Sequence, residues 1–268
     1  MLTTQHFESW IELEAHVQDL ARTNTVVSGL DLGEYSHLLF RGQGSDKWPL
    51  ESTLERAKPR STELAEHYRA VAVAKTQVET FTGRRWEDID YQKLREHLQN
   101  YEYLRGPGLP SYEFLVYLRH HGFPSPLLDW TRSLYVAAFF AFQAPAAERV
   151  AIFVYQERAG AGKVSSSTSP QIKVLGPNVR SHPRHFLQQG EYTLCCEYSA
   201  DTWHFASHSN VFAEADGAQD RLSQFTLPRS EASAVLKRLD EYNINAFSLF
   251  QSEESLMATL ARRIISCD

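Results

Sequence analysis

Residues 117–142 constrain the fold of this sequence more than any other segment, because they place a polar turn directly before an apolar helix. Gly122, followed by two prolines, predicts the end of one helix and a turn. The chain then runs extended, and Ser133 ahead of the apolar run 136–140 predicts an N-cap and a second helix. A helix without a polar face is buried on most of its sides. The polar cluster 129–133 is therefore held at the mouth of a core helix, where a functional site is easily built.

Helical patterns dominate the first half of the chain, and strand patterns dominate the second half. The spacing of apolar residues predicts helices over residues 6–21, 50–58, 62–81, 91–104, 111–121, 230–242 and 253–265. Apolar and aromatic runs predict strands over residues 38–40, 150–155, 172–175, 191–198, 203–205 and 222–227, with Arg41 at the C-terminal end of the first. Ser230 followed by Glu231 is typical of a helix start. This arrangement favours an α+β fold, with a helix-rich N-terminal half packed on a mixed or antiparallel sheet, over a doubly wound fold.

The composition narrows the class of protein and of ligand. Hydrophobic residues make up 43% and charged residues 22% of the 268 residues, which is typical of a globular chain rather than a disordered one. The net charge of -6 argues against a protein that holds nucleic acid mainly through a basic surface. A local basic groove stays open as an alternative, and its arginines would be Arg84, Arg85, Arg180 and Arg184.

The cysteines and the N-terminal residues bear on the compartment. Cys195, Cys196 and Cys267 make neither a disulfide framework nor a zinc spacing, so a reducing, cytoplasmic compartment is expected. The histidines show no metal-ligand spacing, and no metal is predicted. The first residues carry acids and no apolar segment, so no signal peptide is expected. No run approaches the roughly 18 apolar residues of a membrane span, so no membrane partner is expected.

Four short segments of the chain match the motifs of a known family and follow one another in the same order. Phe40-Arg41-Gly42 is followed by Gln43, and residues 120–131 read His-His-Gly-Phe-Pro-Ser-Pro-Leu-Leu-Asp-Trp-Thr. Residues 182–193 read His-Pro-Arg-His-Phe-Leu-Gln-Gln-Gly-Glu-Tyr-Thr, and Leu249-Phe250 precedes the last predicted helix. Together these segments, from about residue 38 to residue 260, resemble the FRG domain family, which is named for its Phe-Arg-Gly motif. The resemblance implies one domain over residues 1–268, with a helical insertion around residues 60–110, and it implies no particular reaction.

A second resemblance lies within the first. Arg41 belongs to an early strand, Ser133 precedes the apolar helix, and Gln189-Gly190-Glu191 begins a later strand. This order is similar to that of ADP-ribosyltransferases of the Arg-Ser-Glu class, which use NAD. The resemblance implies an ADP-ribosyltransferase-like fold in which Glu191, Gln189 and Ser133 are the catalytic residues.

The residue types suit the chemistry that this resemblance implies. A guanidinium such as that of Arg41 suits pyrophosphate oxygens. A carboxylate such as that of Glu191 stabilises the positive charge that develops as the nicotinamide–ribose bond breaks. Ser133 would support the carboxylate or the ribose, and Gln189 would orient the acceptor. The other residues implied in NAD binding are Gly42, Gln43, Trp130, Thr131 and Tyr192, of which Trp130 or Tyr192 would stack on the nicotinamide ring.

Each of these residues also has a purely structural interpretation. Arg41 can form an ion pair with Asp129 or Glu191, and Glu191 can instead be a solvated strand residue. Asp129 would then brace the turn, Trp130 would fill the core, and Ser133 would only cap the helix. The sequence leaves these alternatives open.

Three functions follow from these alternatives. The first is an NAD-dependent ADP-ribosyltransferase, expected as a bacterial toxin or anti-phage defence effector. It would modify a nucleic acid or a protein, and an antitoxin protein would neutralise it. The second is a non-catalytic FRG module that binds a nucleotide or a partner protein. The third is an NAD glycohydrolase, in which water replaces the acceptor.

Overall fold

The computed structural model describes residues 2–27, 37–57, 63–98, 109–157, 170–176, 179–180, 183–209, 211 and 220–265. Its strands are β1 (Leu2–His6), β2 (Leu38–Gln43), β3 (Leu128–Thr131), β4 (Arg149–Gln156), β5 (Gln171–Val174), β6 (Gly190–Ser199), β7 (Thr202–Phe205) and β8 (Arg221–Pro228). Its helices are α1 (Trp10–Val27), α2 (Thr53–Ala57), α3 (Leu64–Thr82), α4 (Tyr91–Leu98), α5 (Tyr112–His120), α6 (Leu134–Phe142), α7 (Pro183–Leu187), α8 (Ala232–Glu241), α9 (Ala246–Phe250) and α10 (Glu253–Ile265).

The strands form one mixed sheet in the order β1-β8-β4-β2-β3-β6-β5, and β7 pairs with β6. β1 runs parallel to β8, and the other strand pairs are antiparallel. The prediction of a mixed sheet packed with helices is therefore confirmed. None of the helices in the described ranges is long and apolar enough to cross a membrane.

The sheet is weakly joined at its centre. β2 pairs with β4 from Leu38 to Gln43, whereas β2 and β3 meet at a single register position, Phe40 opposite Thr131. The sheet thus consists of two halves, β1-β8-β4-β2 and β3-β6 with β5 and β7, joined at that position. From Arg41 to Gln43, β2 has no register partner in β3, and we call this unpaired stretch the gap.

Three apolar clusters cover the two faces of the sheet. On one face, the first cluster packs α1, α6 and α8 over β2, β4 and β8, and the second packs α3 to α5 over β6 and β7. The opposite face carries the third cluster, which includes Leu39, Trp130 and Phe153. α6 is buried along nearly its whole length, and the side chain of Ser133 accepts a hydrogen bond from the main-chain nitrogen of Val136 at 3.3 Å. The predicted buried helix and its N-cap are both confirmed.

The predicted start of the first helix is wrong, whereas the helix predicted over 230–242 is observed with a 3-10 first turn. Residues 2–6 form the edge strand β1, so the first helix begins at Trp10 instead of residue 6. The helix predicted over 230–242 starts as a 3-10 turn, Arg229–Glu231, and Ser230 gives no side-chain cap. The carboxylate of Glu231 instead accepts a hydrogen bond from the main-chain nitrogen of Trp10 at 2.9 Å and so caps α1.

Other predicted elements differ less. β2 continues to Gln43, so Arg41 lies inside the strand and not at its end. The helix predicted over 91–104 is observed up to Leu98, and the remainder lies outside the described residues. The helical insertion predicted around residues 60–110 corresponds in part to α3 and α4, while the single-domain boundary stays a prediction.

Candidate functional site

The Phe-Arg-Gly strand places three consecutive residues in three different environments. Phe40 enters the first apolar cluster beside α6, and Arg41 points to the opposite face. Gly42 lies directly against α6, because a Cβ atom built on it would be 1.9 Å from the carbonyl oxygen of Ala137 and 2.6 Å from the nitrogen of Ala141. Gly42 therefore has a packing role in this structure, whatever it contributes to a ligand.

Arg41 reaches across the gap between the halves of the sheet. Its Nη1 donates a hydrogen bond to the main-chain oxygen of Asp129 at 2.8 Å, and its buried Nε has no partner among the described residues. Burial lowers the pKa of Arg41 to about 10, with Arg119 and Arg56 acting in the same direction and Asp129 opposing them. The group stays charged at neutral pH.

The expected ion pair of Arg41 is not formed. The carboxylate of Asp129 pairs with Arg119 of α5 at 2.6 Å, and the carboxylate of Glu191 pairs with Arg132. No described carboxylate lies within the 4 Å salt-bridge distance of Arg41. Neither version of that ion pair is observed, and among the described residues Asp129 acts on Arg41 electrostatically without a direct salt bridge.

Glu191 is a buried residue of β6, with only 4% of its surface exposed. Its Oε1 accepts a short hydrogen bond from Nε of Arg132. The main-chain nitrogen of Arg132 also donates to the main-chain oxygen of Gln189 at 3.1 Å. The interpretation of Glu191 as a solvated strand residue is therefore wrong, and its negative charge is compensated by Arg132, whose side chain is 39% exposed.

Three site positions lie in a row across neighbouring strands. The pairing of Phe40 with Thr131 sets Arg41 of β2 beside Trp130 of β3, and Trp130 lies directly opposite Glu191 of β6. Alternation along each strand directs these three side chains to the same face. With strands spaced about 4.8 Å apart, the Cα atoms of Arg41 and Glu191 are at least about 10 Å apart.

The remaining predicted catalytic residues lie at the edge of this row. Ser133 caps α6, and its main-chain nitrogen donates to Oγ1 of Thr131 at 3.0 Å. Thr131 in turn donates to the main-chain oxygen of Gln188 at 2.7 Å, which fixes the turn before β6 to the end of β3. Gln189 is exposed in that turn, with a positive φ of 48°. Gln43 is buried, with Oε1 lacking a partner among the described residues.

The two rings proposed to stack on nicotinamide are both covered in this structure. Trp130 is 4% exposed, and its Nε1 donates to Oγ1 of Thr193 at 2.8 Å. Tyr192 is 1% exposed, and its hydroxyl lies 2.7 Å from Nε2 of His120 and 3.3 Å from Nδ1 of His185. Burial raises the pKa of the Tyr192 hydroxyl above its ordinary range. The interpretation of Trp130 as a core residue fits these contacts.

Sequence reasoning missed three residues of this region. Arg132 was visible in the polar cluster 129–133, but only the pairing of β3 with β6 shows that it meets Glu191. Arg119 stands out only once α5 is placed over Asp129. His208 lies 2.8 Å from Oγ1 of Thr193, and burial, followed by the charge of Arg41, lowers its pKa to about 3. No local sequence signal separates it from the other histidines.

The suggested basic groove stays a prediction, because the structure gives contacts for some of its arginines only: Arg84 and Arg184 both act electrostatically on His121. Arg85 pairs with Glu79 at 3.3 Å, and the guanidinium of Arg184 lies 5.5 Å from the ring centre of Phe250. In the ranges that the structure covers, no group of three or more His, Cys, Asp or Glu side chains is arranged to hold a metal ion.

Comparison with known proteins gives a family match for the part of the site that precedes residue 150. Neither the curated proteins nor the solved structures contain a match to the chain. The profile described as the FRG domain matches residues 36–149, a segment that includes Arg41, Trp130 and Ser133 and ends before Glu191. The strand with the Phe-Arg-Gly motif and the strand with the Leu-Leu-Asp-Trp-Thr motif thus belong to a segment that matches the FRG domain.

Proposed function

We propose that the protein is an NAD-dependent ADP-ribosyltransferase that acts at the gap between β2 and β3. The observation that carries this proposal is the row of Arg41, Trp130 and Glu191 on one face of three neighbouring strands. A fixed cation and a fixed carboxylate across such a gap suit a substrate with a pyrophosphate at one end and a developing positive charge at the other.

The charge around Arg41 supports the proposal that the pyrophosphate of NAD binds there. Arg119 and Arg56 both lie close enough to act electrostatically on Arg41, and the carboxylate of Asp129 acts in the opposite direction. In a chain with a net charge of -6, this is a local surplus of positive charge. The buried Nε of Arg41, which has no partner among the described residues, is a donor suited to a phosphate oxygen.

The position of Glu191 supports the proposal that the ribose of NAD reacts beside it. In the reaction, the bond between ribose and nicotinamide breaks with its electron pair going to nicotinamide, and the acceptor bonds to the same ribose carbon as it loses a proton. Glu191 would stabilise the positive charge on the ribose, and Arg132 holds the carboxylate in place. Gln189, exposed in the turn that precedes β6, would orient a nucleic acid or protein acceptor. A toxin or defence role in the cytoplasm, with a neutralising antitoxin partner, belongs to the same proposal.

A second function, a non-catalytic binding module, is favoured by a different observation. Glu191 is held in an ion pair, Ser133 is engaged as a helix cap, and the rings of Trp130 and Tyr192 are covered. Such a site would bind a nucleotide or a partner through Arg41 without turning it over.

Radiolabelled NAD separates these functions. We expect the protein to transfer label to protein or RNA of a cell lysate, and we expect Glu191→Gln to reduce transfer at least about 100-fold. Glu197→Gln is the matched control, because Glu197 lies half-buried on the same strand. Equal labelling by wild type and Glu191→Gln would refute the enzymatic proposal. Calorimetric binding of NAD without label transfer or nicotinamide release would establish the binding module, whereas nicotinamide release without labelled acceptor would indicate a glycohydrolase.

A further inference from the structure

A concave surface lies on the same face of the sheet as Arg41. It is a cleft of about 510 Å³, within the usual size range for small-molecule sites. Its floor is apolar and consists of Leu50, Phe153 and Leu222, which are buried residues of the third cluster. One wall carries the ring of Trp48, which is 50% exposed. An apolar floor beside an exposed aromatic ring suits a flat ring system.

One of the polar side chains that line this cleft is the carboxylate of Asp46. Both main-chain groups of Asp46 are hydrogen-bonded. Its main-chain nitrogen donates to the main-chain oxygen of Arg149 at 3.1 Å, and its main-chain oxygen accepts from Nε2 of Gln224 at 2.7 Å. The carboxylate itself accepts no hydrogen bond from any described residue, and its Oδ1 is buried. A buried acceptor that is left without a donor destabilises the protein, and a ligand that draws the carboxyl group towards the cleft and supplies donors to both oxygens removes this cost.

We propose that this cleft binds a guanine base, stacked on Trp48 and donating its two adjacent N–H groups to the carboxylate of Asp46. A carboxylate only accepts hydrogen bonds, so it matches a ring edge with two neighbouring donors. Guanine presents such an edge through N1–H and the 2-amino group. Adenine presents one donor beside an acceptor, which would face the second carboxylate oxygen.

Charge favours a nucleotide over an organic cation. Lys47 follows Asp46 and also lines the cleft, so a guanidinium or ammonium ligand would meet a like charge there. The same lysine suits the phosphate of a nucleotide. The floor residue Phe153 lies opposite Arg41 in the β2–β4 register, which places the cleft one strand away from that arginine. The binding of guanine in the cleft does not depend on the proposed function. A role of this guanine as the acceptor of ADP-ribose does depend on it.

Calorimetric titration with nucleoside monophosphates tests the site without NAD. We expect GMP to bind at least about 10-fold more tightly than AMP, with IMP between them because it keeps one of the two donors. Trp48→Ala should weaken GMP binding at least about 5-fold through lost stacking. Asp46→Asn should weaken GMP binding about 10-fold and strengthen XMP binding, because the asparagine amide donates to the 2-oxo group of xanthine. A gain for XMP cannot result from unfolding.

Matched controls and opposing outcomes complete the test. Asp19→Asn, on the exposed side of α1, and Phe81→Ala, an exposed aromatic ring on α3, should leave GMP binding unchanged. Equal affinity for GMP and AMP, no saturable binding at millimolar GMP, or tighter binding of arginine amide would each overturn the proposal. An oligouridylate with one central guanine, compared with the same RNA without it, shows whether the base is read within RNA or as a free nucleotide. If GMP binds while NAD labelling fails, only the proposed transferase activity is lost.

Discussion

Replacement of Gly42 by alanine tests whether the Phe-Arg-Gly motif owes its glycine to packing. The new Cβ would lie 1.9 Å from the carbonyl oxygen of Ala137, whereas ordinary van der Waals contact begins at 3.4 Å. β2 and α6 would have to move apart by about 1.5 Å, since the opposing atoms belong to the helix backbone and cannot rotate away. α6 lies at the centre of the first apolar cluster, so this movement loosens many contacts at once.

The expected cost lies at the upper end of the range for overpacking, about 3 kcal/mol or more. For a chain of this length, the melting temperature should fall by about 6 to 12 °C. Circular dichroism during heating, together with urea denaturation, measures the change. Gly122→Ala is the control, because Gly122 has a φ of 82° with nothing within 4 Å of a built Cβ. Its cost should come from backbone strain alone, about 1 to 2 kcal/mol.

Equal stability of Gly42→Ala and wild type would refute this reasoning. A variant that melts as wild type but no longer binds NAD would instead favour the cofactor-binding role predicted for Gly42. A loss larger than that of Gly122→Ala, with NAD binding retained below the melting temperature, would assign the glycine to the contact with α6.

Two further substitutions test the buried titratable groups. Arg132→Ala leaves the carboxylate of Glu191 buried without its partner. We expect the free energy of unfolding, measured by urea denaturation, to fall by about 1 to 3 kcal/mol, a range discounted because Arg132 is partly exposed. The double variant with Glu191→Gln should recover most of this loss, and an unchanged stability of Arg132→Ala would contradict the pairing. Burial lowers the pKa of His208 to about 3, so below its ordinary value of 6.5 the unfolded chain gains a proton that the folded protein does not. The free energy of unfolding should therefore fall as the pH drops, by about 2 kcal/mol at pH 5, and this part of the loss should be absent in His208→Gln. Equal losses in wild type and His208→Gln between pH 7 and pH 5 would count against the buried neutral histidine.

The sequence predicts those parts of the structure that depend on neighbouring residues. The apolar run after Ser133 can form only a buried helix, and the N-cap position follows from the change in polarity. β1 was missed because Leu2–His6 is polar and exposed, so its strand conformation depends on β8 rather than on its own side chains.

The partners of the charged residues could not be predicted, because they depend on strand order. Glu191 meets Arg132 only because β6 lies next to β3, and Arg41 meets the main chain of Asp129 only because β2 lies next to β3. Residue types alone allowed either pairing for Arg41. The contacts that decide the chemistry are thus long-range in the sequence.

The parallel pairing of β1 with β8 has a consequence for synthesis of the chain. Among the described strands, β1 pairs with β8 alone, and the register partner of Leu2 is Leu222. During translation, the first strand must therefore wait until nearly the whole sheet has emerged from the ribosome before it gains a hydrogen-bonded partner. We expect β1 to dock last, in a slow step limited by loop closure, and nascent chains that stop before β8 to expose an unpaired edge of β4.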